Sequence, residues 1–466
     1  MIVFTLIVCL TGGASRHDVQ SLVLLRPLSF AFIAYALWIA EKEELRRLPV
    51  PFYLLLGLAV LAGLQLIPLP FSWWSQLPGR EIFVDIAMAA GLEEQARPLT
   101  LTPARTWNTL FSLAVPIAAF LLFVIQDRRR RLDVLWLLII AGAGSMFLGF
   151  LQTLGGQDSA LYTYAIHNEG QAVGLFSNRN HQGAFLAVVG VLAALAIYRL
   201  RTDDTFALFK GLLLLSFLAL SVPFILILGS RAGLILSLAG LLIAPWIIVG
   251  SPVVREFLQH RRKVWGRKFA FLTPATTLAG IYVAAAGLAA VAIANSRDEA
   301  LSRLTETASD SRLDRGDVLP YLVRMVQDYL PFGSGFGSFD RVFYRYERTE
   351  HLSSVYLNQA HMDWLQVVIE GGIPAALLLA ALIAWFFIKT GAAFGRRGIA
   401  DKREIAGLAM TFVMIAIGSA VDYPLRVPII MVAMTYIACL LSEGIAASTS
   451  PRRPRPVKRG LTMQST

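Results

Sequence analysis

Apolar runs of roughly 18 to 25 residues recur along the whole chain, with charged or Gly/Pro-rich breaks between them. That is the length a bilayer core demands of a helix, and lipid leaves the backbone no other open way to satisfy its polar groups. About twelve runs are read. They fall near 22–39, 50–69, 108–126, 132–152, 181–198, 211–228, 232–249, 270–294, 361–388, 405–421 and 429–443, preceded by a short run over Met1 to Leu10. Of 466 residues, 56% are hydrophobic and 16% charged, which excludes a string of soluble domains. The expectation is an all-α polytopic membrane protein of about twelve transmembrane helices with one long, partly helical loop.

The predicted organisation is nine helices with short loops over 1–294, an outer loop over 295–360, three helices over 361–445, and a basic, disordered tail over 446–466. Met1 to Leu10 is too short to span, and no basic segment or convincing cleavage site marks it as a signal peptide. A shortened start is the preferred reading there. Cys9 and Cys439 both lie inside predicted spans, so they assemble neither a disulfide framework nor a metal cluster.

Basic clusters at Lys42/Arg46/Arg47, Asp127 to Arg131, Arg199 to Lys210, Arg255 to Lys268, Lys389 to Arg403 and Arg452 to Arg459 fall in alternate loops. The positive-inside rule assigns these to the cytoplasm. The opposite set, 70–107, 153–180, 229–231, 295–360 and 422–428, then faces outward. All the lysines fall on the cytoplasmic side, so the outer cations are arginines, whose planar fork suits bidentate phosphate or carboxylate contacts. The net charge of +11 is accounted for by topology and by contact with anionic membrane lipids, not by nucleic acid.

The outer segments hold the candidate chemistry. Arg315 to Leu330 places Val318, Leu319, Leu322, Val323, Val326 and Leu330 mostly three and four apart, the pattern of an amphipathic helix. LPFGSGFGSF follows and reads as a tight turn; no strand precedes its glycines, so they are not a dinucleotide fingerprint. Phe71 to Trp74, FSWW, reads as an interfacial aromatic belt. In GSRAG, Arg231 stands between two apolar runs, either snorkelling or anchoring an anion, and its flanking glycines permit close approach by something bulky. In FSNRNHQGAF, Asn180 is either a helix cap or part of a site with Arg179 and His181. His361 opens a span, Asp363 follows, and Glu370 lies about two and a half turns deeper. An acid there needs an arginine or amide partner. The histidines are isolated in sequence and no GxSxG occurs, so neither a zinc pattern nor a nucleophile elbow is present. Arg231, Arg179/His181, Arg312/Arg315 and His361 thus converge on one face, as a site for an anionic, lipid-linked substrate would require.

At these residues the chain resembles the O-antigen ligase and O-antigen polymerase superfamily of bacterial cell-envelope glycosyltransferases, most specifically from Gly229 to about Ala376. The carriers are Arg312 to Pro331, the turn Gly333 to Phe339, and His361-Met362-Asp363 with Glu370-Gly371-Gly372. Met362 stands where the family usually carries Asn, and the aromatic that usually follows its arginine-x-acid opening is missing after Arg312-Leu313-Asp314. The resemblance implies a metal-independent transferase of the bacterial inner membrane with its site facing the periplasm. In it Arg231 and a loop arginine, Arg312 ahead of Arg315, grip the diphosphate of an undecaprenyl-linked glycan. His361 activates the acceptor hydroxyl or assists the departing diphosphate. Arg179 is a further diphosphate contact, with His181, Asn180, Asp363 and Glu370 in support. No cofactor is expected. The expected partners are the lipid-linked glycan, an acceptor glycan or lipid, membrane lipids and other envelope polysaccharide assembly proteins. Polymerase stands slightly ahead of ligase, and a lipid-linked glycan transporter or flippase is the alternative.

Overall fold

A backbone that must satisfy its own hydrogen bonds in lipid folds these runs as helices. A computed structural model of the chain describes residues 1–127, 130–265, 280, 315–347, 357–395 and 399–449. Apart from residue 280, the run expected over 270–294 lies outside them, as do Arg312 and the basic tail from 450 onward. The described elements are helices apart from one two-residue antiparallel pair, Pro68–Leu69 (β1) with Arg97–Pro98 (β2). In chain order the principal helices are α1 (Ile2–Thr11), α2 (Leu22–Ile39), α3 (Val50–Leu64), α4 (Pro103–Ser112), α5 (Ala114–Val124), α6 (Asp133–Gly155), α7 (Arg179–Arg199), α8 (Ala207–Leu228) and α9 (Arg231–Ile248). There follow α10 (Pro252–Trp265), α11 (Arg315–Tyr329), α12 (Phe339–Phe343), α13 (Asp363–Gly395), α14 (Ile399–Gly418) and α15 (Pro428–Thr449).

Among the described residues, seven helical stretches are long and apolar enough to cross a membrane, α4 and α5 together making one of them. The chain is an all-α polytopic membrane protein. The short N-terminal run is a helix that packs on α2 and α15, with Phe4 and Val8 buried.

The central helix is α7. The apolar window of α7 is 89% buried and that of α2 only 22%, so α7 is surrounded by protein and α2 turns most of its surface outward. Its run AFLAVVGVLAALAI is apolar on every side, as a helix at the centre of a bundle must be. Neighbours α6, α8, α9 and α14 enclose it. Against α9 the backbones nearly touch: a Cβ added at Gly233 would lie 2.8 Å from Gly183 Cα. Small residues at such crossings let dispersion act over a long contact. The close approach expected at Gly233 is therefore made by a neighbouring helix, which leaves no room there for a ligand.

Helix α13 is broken. Gly372 has φ 62° and ψ −155°, a conformation essentially reserved for glycine. The break leaves carbonyls of the preceding turn without their helical donors, and the glycine-rich turn supplies replacements. Ser334 N donates to Ile369 O at 2.9 Å, Gly335 N to Glu370 O at 2.9 Å, and Ile373 N donates back to Pro331 O at 2.9 Å. Gln65, at the end of α3, locks the joint: its amide donates to Glu370 O and accepts from Phe336 N, both at 2.9 Å. The turn is thus a wedge seated in a membrane helix.

The FSWW segment divides. Trp73 is 66% exposed but Trp74 is 3% exposed, with the guanidinium groups of Arg80 and Arg97 at 5.7 and 5.4 Å from its ring. Only Trp73 remains available to an aromatic belt; the cationic neighbours of Trp74 fix it inside.

The wedge gives a first prediction. A Cβ at Gly372 would lie 2.2 Å from Pro331 O. Gly372→Ala should lower stability in detergent by about 2 kcal/mol or more. The control Gly144→Ala, where an added Cβ meets nothing within 4 Å, should not lower it. Thermal midpoints of the purified proteins give the comparison.

Candidate active site

Four chain segments end at the same place. Ser230 caps α9, its Oγ accepting from Gly233 N at 3.0 Å and donating to Asn180 Oδ1 at 2.9 Å. Asn178, not Asn180, is the cap of α7, with Oδ1 accepting from Asn180 N at 2.8 Å. That capping frees the Asn180 side chain to tie α7 to α9. One residue on, His181 is buried, with Nε2 3.9 Å from Asp422 Oδ1. The same oxygen lies 3.6 Å from His361 Nδ1. Asp422 therefore sits between two imidazoles from distant parts of the chain, in the short connection between α14 and α15. Tyr423 packs edge-on against both rings, with centroids 5.1 Å from His181 and 4.8 Å from His361.

Local geometry explains the presentation of His361. It is the non-glycine residue with positive φ, 50°, among the described residues, an uncommon conformation that turns the chain sharply ahead of α13. Its side chain is 30% exposed while that of Asp422 is 4% exposed. The ring is held from below by a carboxylate and remains open above.

A second cluster lies one turn deeper. Arg426 Nε is 3.2 Å from Asp363 Oδ1, and its Nη2 is 3.5 Å from Glu370 Oε2. Glu370 Oε1 accepts from Gln366 Nε2 at 2.9 Å and from Phe339 N at 3.3 Å. Asp363 Oδ2 accepts from Ser419 Oγ and Leu425 N, both at 3.3 Å. Each buried acid is thus compensated, as its environment demands. Asp363 and Glu370 hold α13 against the α14–α15 connection.

Polar atoms are left over. Both ring nitrogens of His181, His361 Nδ1, Glu370 Oε2 and Asp422 Oδ2 are buried without a hydrogen-bond partner among the described residues. Such atoms cost stability and are few in folded proteins, so their concentration at one place is a functional signal. Burial pushes the Asp422 carboxyl up, but the His361 imidazole in contact with it and the charges of His181 and His361 outweigh burial and hold it at about 2. Asp422 is anionic at neutral pH. An imidazole whose Nδ1 faces an anion is oriented with Nε2 outward as a proton acceptor.

Of the residues singled out from sequence, His181, Asn180, His361, Asp363 and Glu370 come together directly or through Asp422 and Arg426. Arg231 and Arg179 are the first residues of α9 and α7, at the same end of the bundle; Arg179 N donates to Asn168 Oδ1 at 2.9 Å. Arg315 opens α11. Sequence reasoning missed Asp422, Tyr423 and Arg426. Their signal was the stretch DYPLR, an acid and an arginine flanking a proline between two apolar runs. Among the described residues no group of three or more His, Cys, Asp and Glu is arranged to hold a metal ion.

The Asp422 contact carries a pH dependence. A carboxyl held at about 2 in the folded chain, against an ordinary 3.8, contributes stability that is complete above about pH 4 and is lost as pH falls through its folded value. The contribution is about 2 kcal/mol. Asp422→Asn should therefore melt below wild type at pH 6, and the gap between the two midpoints should narrow as pH is lowered from 4 toward 2.

The O-antigen ligase family profile matches residues 216–380, a stretch that includes Arg231, the glycine-rich turn, His361 and Glu370 but stops short of Asp422. A search of curated proteins gives no match. Residues 216–380 carry this likeness to the O-antigen ligase family, within a multi-pass architecture of long apolar helices.

Proposed function

We propose that this protein is a glycosyltransferase that moves a glycan from an undecaprenyl-diphosphate carrier to an acceptor hydroxyl at the periplasmic face of the bacterial inner membrane. The observation that carries this reading is the pairing of His361 with the buried anion of Asp422, 3.6 Å away. The acceptor oxygen bonds to the anomeric carbon while the bond from that carbon to the diphosphate oxygen breaks. The bonding pair leaves with the diphosphate, and His361 Nε2 takes the hydroxyl proton. Asp422 stabilises the imidazolium that results.

The diphosphate is already a good leaving group, so guanidinium groups near the bond suffice to balance its growing charge. Arg231, Arg179 and Arg315, at the starts of α9, α7 and α11, and Arg312, three residues before Arg315 in the sequence, are the proposed contacts. A second lipid-linked repeat as acceptor, giving a polymer, is placed ahead of a lipid A core. Transport of the lipid-linked glycan fits less well. The charged side chains of the candidate site lie at or near helix ends, whereas transporters place them near the midplane between related halves.

The test is reconstitution with an undecaprenyl-diphosphate-linked repeat unit, with and without a lipid A core. A ladder of longer glycans without core means polymerase, and product on core alone means ligase. His361→Ala should lower either product by about 10²- to 10⁴-fold, the usual worth of a general base. A His361→Ala protein that forms product at the wild-type rate would overturn the assignment of the base.

A further inference from the structure

A cavity of about 400 Å³ opens beside the site, walled by parts of α2 to α5, α13, α14 and α15. It adjoins the proposed reaction centre: Gln359 and Asp363, two residues before and two after His361, line it. Its lining combines two chemistries. Leu54, Leu58, Phe120, Leu378, Leu382 and Phe412 are aliphatic or aromatic. Arg16, Arg26, Arg105 and Arg426 are cationic.

Three of these arginines face a carboxylate. Arg16 lies 2.7 Å from Asp18, Arg105 3.0 Å from Asp340, and Arg426 3.2 Å from Asp363. Arg26 does not. Its Nη2 donates to the neutral oxygens Asn108 Oδ1 and Ser112 Oγ, while its Nε is buried with no acceptor among the described residues. It stands in the second turn of α2 beside apolar walls, where a permanent cation without a counter-ion is costly. The missing partner is an anion that the cavity admits.

We infer that Arg26 anchors the phosphate head of a lipid whose chain begins along the apolar lining of this cavity, which includes Leu54 and Leu378. The volume suits a headgroup and the first part of a chain, within the usual range for enclosed ligand sites. The unpartnered Nε–H offers a phosphate oxygen a charge-assisted hydrogen bond. Identifying this lipid as the glycan donor rests on the transfer reading above; the anion site does not. Arg26 lies outside residues 216–380, so the inference assigns donor binding in part to the N-terminal helices.

The experiment reads binding without turnover. Full-length protein in detergent is incubated with undecaprenyl diphosphate or with dioleoyl phosphatidylglycerol, and retained lipid is quantified by native mass spectrometry. Wild type should retain undecaprenyl diphosphate. Arg26→Gln should weaken retention about tenfold, the loss of one charge-assisted contact, and Arg26→Lys should recover part of it. Leu378→Trp, which adds bulk to the apolar lining, should weaken retention while leaving Arg26 in place. Equal retention by wild type and Arg26→Gln overturns the anchor. Equal, Arg26-dependent retention of phosphatidylglycerol keeps the anchor but gives the site to a bilayer phospholipid and overturns the link to the donor. Retention is read apart from the product ladder of the reconstituted reaction, so a failure of the transfer reading is seen apart from a failure of this one.

Discussion

The site depends on hydrogen bonds that α13 does not make to itself. A helix interrupted inside the membrane leaves backbone groups that lipid cannot satisfy, at several kcal/mol each. Here the glycine-rich turn after α11 and the Gln65 amide answer the carbonyls of Ile369 and Glu370. The first half of α13 is thereby fixed at an angle of its own, and it carries Asp363, Gln366 and Glu370. The outer segment is consequently part of the bundle's hydrogen bonding and not an appendage on it.

Charge is organised in two ways at this end of the molecule. Around α13 every acid meets a cation or a backbone donor, with Asp363 and Glu370 sharing Arg426. Such pairs hold elements in register. Around Asp422 the balance is inverted, with one carboxylate facing two imidazoles and several polar atoms unmatched. The first arrangement is a frame. The second leaves polar atoms without partners among the described residues.

The bundle was legible because its signal is local: run length, apolar content and charged breaks each act within a few residues. The turn at 333–337 and the need of Glu370 for a partner were legible for the same reason. The partners were not. Gln65 meets Glu370 across 305 residues and Ser419 meets Asp363 across 56, and nothing in either neighbourhood advertises the other. Asp422 and Arg426 lay in a loop already placed on the outer face, yet an acid and an arginine beside a proline look like ordinary loop chemistry. Gly233 was misjudged because a sequence cannot say whether the space beside a glycine is taken by substrate or by Gly183 of another helix. Histidines isolated in sequence likewise gave no sign that two of them share one carboxylate.

The place of Asp422 in the chain has a consequence for biogenesis. His181 comes from α7, His361 from just before α13, and the carboxylate between them from the connection after α14, so the cluster closes only after most of the described helices have been made. Helices enter the bilayer in order of synthesis, and contacts between distant segments wait for the later partner. A nascent chain that ends before residue 422 has most of its bundle and both histidines but no anion between them. The cluster is therefore among the last parts of the described structure to be completed during insertion.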